Sequence, residues 1–238
     1  MARFSAGEEH RLRRRRVDRL IADLPLEHLT ERTKRALAWF LAGTEAPVDA
    51  VQLAATVPTV ALAAALGWTH VESPGLVADV HLLAAAVGRG EPAGAATDAA
   101  VDRLLGRASD HTTDPDSAVS LLYQNADATK AFLLTTLESE LEDRPRRPAV
   151  VQTVRVAHAD VQLNDGPAPR SIAPGATVEL NLVVGDREFG LGPHACPGRQ
   201  LAETITTVVM DELHAIGLLD RWTIRYSEQG EIVAFELG

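Results

Sequence analysis

The chain has 238 residues, a formal net charge of −10 at pH 7 and a single cysteine. A chain of this length buries roughly 70% of its unfolded surface on folding, so one domain with a sizeable core is expected. The acidic balance argues against nucleic acid as a partner of the whole surface, and a single cysteine excludes an internal disulfide and favours a reducing compartment.

Neither a leader nor a membrane span is predicted. The N-terminus is rich in arginine, and no apolar segment follows its basic residues, unlike a secretory signal. The longest charge-free run, residues 50–71, contains Gln52, Pro58 and Gly67, which makes it poor material for the roughly 20 apolar residues of a membrane span. We therefore expect a cytoplasmic protein with no membrane contact.

The first 144 residues read as a helical part. Ser5 followed by Glu8 is a capping-box pattern, which predicts a helix over residues 6–22. Further helical patterns, separated by glycine and proline, cover residues 26–42, 48–66, 75–87 and 95–108. A longer helix is predicted over residues 112–141, with Asp114 or Asp116 near its start.

The pattern changes beyond Pro145. Residues 150–163 and 176–184 alternate or run apolar with β-branched residues, so both predict strands. Residues 198–216 predict another helix, and residues 221–237 predict a terminal hairpin with its turn at 228–230. The fold class is therefore mainly α with a small β portion (α+β), in one domain over residues 1–238 with residues 145–238 carrying the strands.

The stretch FGLGPHACPGRQLA, residues 189–202, surrounds the cysteine. Glycine and proline on both sides predict a tight loop that opens onto a helix from about Arg199. Backbone N–H groups at a helix start are unpaired and positively polarised, so this setting predicts a stabilised thiolate at Cys196 with a lowered pKa. The alternative is a buried structural cysteine in a glycine-rich turn.

This stretch resembles the heme-ligand loop of the cytochrome P450 superfamily, F-G-x-G-x-H-x-C-x-G-x-x-L-A. Every specified position matches: Phe189, Gly190, Gly192, His194, Cys196, Gly198, Leu201 and Ala202. The resemblance implies that the loop binds heme b, with Cys196 as the axial thiolate of the iron and His194 facing a heme propionate. A thiolate ligand pushes electron density onto iron and favours O–O cleavage.

Two further segments resemble propionate-binding elements of the family. The helix over residues 6–22 resembles the family's C helix, whose H-x-x-x-R pair would here be His10 and Arg14, four residues apart on one helix face. Arg155 falls where the family carries another propionate-binding arginine. The alternatives are a solvated basic helix and an exposed strand arginine.

The chain departs from the family in length. It starts at the C helix, so the resemblance implies a reduced fold that lacks the N-terminal sheet, the A and B helices, the E-x-x-R pattern and the meander. Losing the whole buried ionic network of that region is expected to be nearly neutral, unlike losing one member of it. Truncation should expose apolar surface, so we expect a homodimer or a protein partner to cover it.

The predicted helix over residues 112–141 corresponds by position to the family's I helix, which crosses the distal heme face. Laying QNADAT on A-G-x-D/E-T-T places Asp127 on the acid, Ala128 on the first threonine and Thr129 on the second, whereas a slip of one residue places Thr129 on the first threonine. In either register the proton relay is altered. Asn125 is a candidate donor to a distal ligand, or an exposed or helix-bonded amide.

The resemblance implies a heme-thiolate oxidoreductase, a monooxygenase or peroxygenase acting on a small organic substrate of specialised-metabolite type. Its acidic ferredoxin partner would dock on the basic face of the first helix, formed by Arg13, Arg14, Arg15 and Arg16. Two alternatives remain open: a heme-binding auxiliary or sensor protein, and a non-oxidative heme-dependent lyase or isomerase, which would need less of the proton relay.

Overall fold

The computed structural model describes residues 7–44, 48–89, 94–149, 152–157, 160–163, 170–181, 187–226, 228 and 232–237. The helices are α1 Gly7–Ala22, α2 Leu26–Ala42, α3 Ala50–Ala65, α4 Pro74–Arg89, α5 Ala95–Ser109, α6 Pro115–Leu141 and α7 Arg199–Ala215. The strands are β1 Gln152–Val156, β2 Val161–Leu163, β3 Arg170–Ile172, β4 Thr177–Asn181, β5 Trp222–Tyr226 and β6 Ile232–Leu237. The predicted fold class, mainly α with a small β portion, is confirmed.

Aspartate caps explain where two of the central helices begin. The side chain of Asp49 accepts hydrogen bonds from the backbone N–H groups of Val51 and Gln52, which fixes the start of α3. Asp114 rather than Asp116 caps α6, since its side chain accepts from the N–H of Ser117. The capping box predicted for α1 includes Ser5, which lies outside the described residues.

The strands pair two by two, all antiparallel. β1 pairs with β4, β2 with β3, and β5 with β6. The terminal hairpin is therefore present as predicted, while its turn at residues 228–230 lies outside the described residues apart from Glu228. Among the described residues, the terminal hairpin contacts α3 and α6, and most side chains of the buried core belong to helices.

Helix α3 is the centre of that core. It is buried nearly all round, as its alanine-rich apolar sequence dictates, and it packs against α2 and α6. Helix α7 packs against α2 and α6 in turn. The buried side of α7 carries Leu201, Ile205 and Leu213, each almost completely inaccessible to solvent. Because α7 directly follows the Cys196 loop, this packing fixes the C-terminal end of the loop.

The missing E-x-x-R pattern does not leave the chain without buried ion pairs. Glu138 near the end of α6 is bound by Arg147 and Arg144, and Glu188 just before the cysteine loop is bound by Arg146. Both glutamate side chains are at least 96% buried. These pairs do not restore the E-x-x-R pattern, whose absence the sequence predicted; they are different buried ion pairs, formed by other residues.

Burial alone would raise the pKa of Glu138, but hydrogen bonds from Arg147 and Tyr226 outweigh it and lower the pKa. Burial would likewise raise the pKa of Glu188, and the hydrogen bonds from Arg146 and from the backbone N–H of Ala149 lower it. Both carboxylates are therefore ionised and paired at neutral pH.

None of the helices in the described ranges combines the length and the hydropathy that crossing a membrane requires.

Candidate functional site

The loop before α7 is shaped by glycine at the point where it folds back. Gly190 has a φ of +68°, and a Cβ placed there would lie 3.0 Å from the carbonyl oxygen of His194, so both the conformation and the space favour glycine. Across this fold, the N–H of Cys196 donates to the carbonyl oxygen of Phe189 at 2.6 Å. The cysteine amide is therefore tied to the first residue of the loop.

Cys196 lies at the surface with its sulfur near the start of α7. It is exposed, which argues against the alternative of a buried structural cysteine. The backbone N–H groups of Gly198 and Arg199 both hydrogen-bond to its thiol. These contacts are the helix-start donors that the sequence predicted.

The predicted lowering of the Cys196 pKa is wrong. Desolvation of the sulfur by the surrounding loop raises the pKa, and the two N–H groups together with the charge of Arg14 offset it only in part. The thiol is therefore neutral in the free protein at neutral pH. Coordination to a metal ion would remove its proton, and the same N–H groups would then stabilise the bound sulfur.

Helix α1 brings two predicted side chains to this loop. Arg14 donates from Nη1 to the carbonyl oxygen of Ala195 at 2.7 Å and lies 3.4 Å from that of Pro193. His10 is buried, with its ring centroid 4.2 Å from that of His194. The sequence interpretation of α1 as a merely solvated basic helix therefore does not fit His10 and Arg14, which contact the loop.

The other predicted binding residues lie around the same loop. Phe189 packs against Phe132 of α6, and Ala202 is buried in the first turn of α7. Arg155 lies on β1 opposite Val178, and its side chain is outside the described part of the structure.

The three distal candidates on α6 differ in burial and in hydrogen-bond partners. Thr129 is buried, and its hydroxyl donates to Asn125 Oδ1 at 2.7 Å. Asn125 is also buried and donates from Nδ2 to the carbonyl oxygen of Pro58 in α3 at 3.2 Å. Asp127 is 61% exposed, and its Oδ1 lies 3.9 Å from Nδ1 of His81. The amide of Asn125 thus makes a helix-to-helix contact between α6 and α3.

Helix geometry shows which of these residues faces the cysteine loop. Phe132 contacts Phe189 of the loop and therefore marks that side of α6. At about 100° per residue, Asn125 lies roughly 20° from Phe132 around the helix, and Asp127 lies roughly 140° away. The side chains of Asp127 and Thr129 therefore leave α6 in different directions, with Thr129 buried against Asn125 and Asp127 largely exposed.

Solved structures that resemble the whole chain were found. They include CYP105P1 in complex with filipin I, with a TM-score of 0.66, 18% identity and coverage of 99% of this chain and 77% of that chain. OxyA from Actinoplanes teichomyceticus matches with a TM-score of 0.64 at 20% identity over 99% of this chain and 78% of that chain. P450 RauA, CYP1050A1, complexed with a biosynthetic intermediate of aurachin RE, matches with a TM-score of 0.65 at 16% identity over 98% and 76%.

The chain has the cytochrome P450 fold. The superposition covers nearly the whole chain in each case, which confirms the resemblance that the cysteine loop predicted. No protein-family model matches the sequence, and no curated protein is significantly similar to it. At these identities the likeness establishes the fold and leaves the reaction and the substrate to other arguments.

The donor set of the P450-type loop fits a heme. Its cysteine sulfur accepts two backbone N–H groups, as a metal-bound thiolate needs. Arginine and imidazole side chains, which bind carboxylate groups, lie beside the loop on α1 and at His194. Arg14 also bonds through Nε to Asp18 at 2.7 Å, so its guanidinium would have to divide its donors between the protein and a propionate.

Sequence reasoning missed the residues that support this P450 loop from behind. Glu188 and Arg146 form a buried pair, and Phe132 and Phe189 pack beside it. Glu188 and Arg146 are 42 positions apart, and no pattern in the sequence links them. The one available signal was Glu188 itself, an acidic residue directly before the apolar Phe189. A carboxylate that is buried there needs a cation as its partner.

Proposed function

We propose that this chain is a heme-thiolate oxidoreductase of the cytochrome P450 type, a monooxygenase or peroxygenase that acts on a small organic substrate such as a specialised metabolite. The observation that carries the proposal is the contact between α1 and the Cys196 loop, in which Arg14 binds the Ala195 carbonyl oxygen and the His10 ring packs against that of His194. These residues come from opposite ends of the chain, and the binding of a heme would explain why they lie together.

In this proposal Cys196 ligates the iron of heme b, and the N–H groups of Gly198 and Arg199 bond to the ligating sulfur. His10, Arg14, His194 and Arg155 bind the heme propionates. Phe189, Gly190, Gly198 and Ala202 shape the surface against the macrocycle. When bound, a thiolate-ligated heme supplies the activation of oxygen or peroxide.

Electron delivery is proposed to use the outer side of α1. Arg15 and Arg16 are exposed there, close in sequence to the loop-binding Arg14, and an acidic ferredoxin is the partner that such a basic face fits. We also propose a homodimer or a complex with a protein partner, and a cytoplasmic location. A strict monomer in size-exclusion chromatography with light scattering would contradict self-association.

The contacts and directions of the three distal candidates on α6 favour a second candidate function. Asn125 accepts from the Thr129 hydroxyl and donates to the Pro58 carbonyl oxygen of α3, and Asp127 points away from the loop side. Among these three residues, the one acid, Asp127, is therefore not directed toward the loop side, where it could transfer a proton. Peroxide-driven oxidation, or a non-oxidative lyase or isomerase reaction on heme, makes the smaller demand on them. A heme-binding auxiliary or sensor protein needs no relay at all.

The test is to titrate the full-length chain with hemin and then assay turnover of a panel of small organic substrates. One arm supplies ferredoxin, its reductase and oxygen, and the other supplies peroxide. The proposal expects one heme per chain and turnover in at least one arm, with Cys196→Ser inactive in both. Turnover with peroxide alone would favour the peroxygenase. A chain that binds heme but turns over nothing would favour the sensor or auxiliary role, and a chain that binds no heme would refute the proposal.

A further inference from the structure

Arg146 occupies a junction between α6 and the cysteine loop. Its Nη1 donates to Glu188 Oε2 at 3.0 Å and its Nη2 contacts Glu188 Oε1, so the guanidinium binds both oxygens of the carboxylate. Glu188 Oε2 also accepts the backbone N–H of Ala149 at 2.9 Å. The same guanidinium lies over the ring of Phe132, 4.3 Å from its centroid.

Glu188 leads directly into the loop. The next residue, Phe189, packs against the Phe132 ring that Arg146 covers, with the two ring centroids 5.5 Å apart and the ring planes tilted by 58°. The carbonyl oxygen of Phe189 then accepts the N–H of Cys196. One continuous series of contacts therefore connects Arg146 to the backbone of the cysteine, through Glu188 and Phe189.

We infer that Arg146 is a positioning residue for the Cys196 loop, which it orients through Glu188 and Phe189. This inference rests on the proposed heme-thiolate function as far as the ligand is concerned. Its physical basis is that a buried carboxylate without its cation is strongly destabilised, so Glu188 would move toward water when Arg146 is lost. Phe189 would move with it and would release the amide of Cys196.

The neighbouring arginine offers a matched control. Arg147 binds the other buried carboxylate, Glu138, from Nε and Nη2 at 2.6 to 3.1 Å. Glu138 also contacts Arg144 and Tyr226, and these contacts connect α6 to β5 rather than to the cysteine loop. Arg147→Gln therefore removes an arginine from a buried glutamate at the adjacent position and leaves the loop contacts in place.

The experiment compares Arg146→Gln with Arg147→Gln in two measurements on the full chain. With heme supplied, Arg146→Gln should lower the fraction of the ferrous carbon monoxide complex that shows the strongly red-shifted Soret band of thiolate ligation, by at least about twofold. Without heme, iodoacetamide should alkylate Cys196 at least about threefold faster in Arg146→Gln, since a loosened loop shields the sulfur less from the reagent than the folded loop does. Arg147→Gln should match the original protein in both.

The double variant Arg146→Gln with Glu188→Gln should recover most of both effects, because it removes the charge that drives Glu188 outward. It also decides the question if Arg146→Gln alone does not fold. Equal behaviour of Arg146→Gln and Arg147→Gln, or a double variant as impaired as Arg146→Gln, would overturn the inference. If the original chain binds no heme, the proposed function fails, and the alkylation rates alone decide whether Arg146 positions the loop.

Discussion

Thr129→Val tests whether the distal side chains of α6 are structural. Valine has nearly the shape of threonine but lacks the hydroxyl that donates to Asn125 Oδ1 at 2.7 Å. Since Asn125 and Thr129 are both buried, the oxygen of Asn125 is left without a donor. An unsatisfied buried acceptor costs about 1–3 kcal/mol.

At roughly 2–4 °C per kcal/mol for a chain of this size, Thr129→Val should lower the Tm by roughly 2–12 °C. The double variant Asn125→Leu with Thr129→Val removes both partners, while the carbonyl of Pro58 keeps its hydrogen bond within α3. It should therefore lose less stability than the sum of the single variants, by at least about 0.5 kcal/mol. Asp127→Asn, on the exposed side of the same helix, should stay within about 0.5 kcal/mol of the original protein.

The assay is thermal unfolding of the full chain followed by circular dichroism, with heme titration alongside. A Thr129→Val protein with an unchanged Tm, or single variants whose effects simply add, would refute the structural role. Loss of turnover at an unchanged Tm would instead assign Thr129 to proton transfer.

Further predictions concern the buried glutamates and the core. The pKa of Glu138 and that of Glu188 are lowered in the folded chain, so the stability that these carboxylates contribute is present at neutral pH. It is lost as the pH falls below about 4.3, the unfolded value, and through the lowered folded values. The Tm of the original protein should therefore fall more steeply in acid than that of Glu138→Gln, and parallel Tm curves would contradict this. Tyr226→Phe removes a hydroxyl 2.9 Å from Glu138 Oε1 and should cost about 1–2 kcal/mol in urea unfolding, whereas an unchanged midpoint would contradict that contact. Leu133→Ala, at a fully buried position, should cost about 2–5 kcal/mol, and a smaller loss would mean that α6 packs differently.

Features that depend on local sequence patterns could be predicted from the sequence alone. Helix α2 begins at residue 26 and ends at residue 42, as its apolar periodicity predicted. The amphipathic pattern that sets the length of a helix is local in the sequence. The Cys196 loop was identified because its glycines and its helix start lie within fourteen consecutive residues. His10 and Arg14 could be placed together in advance because residues four apart lie on the same face of a helix.

Features that depend on tertiary packing could not be predicted. The pKa of Cys196 depends on how much water the folded loop removes from the sulfur, which no sequence pattern specifies. The direction of Asp127 depends on which side of α6 packs against α3 and the loop. Arg146 and Glu188 meet only because the chain between them folds back, and the sequence shows just two charged residues far apart.

The central claim is that Cys196 ligates a heme iron as a thiolate. The most direct measurement is the visible spectrum of the heme-loaded chain after reduction and exposure to carbon monoxide, recorded beside Cys196→Ala. The account predicts a strongly red-shifted Soret band in the original protein and its loss in the variant, because the coordinated sulfur is the source of the shift. A chain that takes up no heme, or a spectrum that Cys196→Ala leaves unchanged, would contradict the claim.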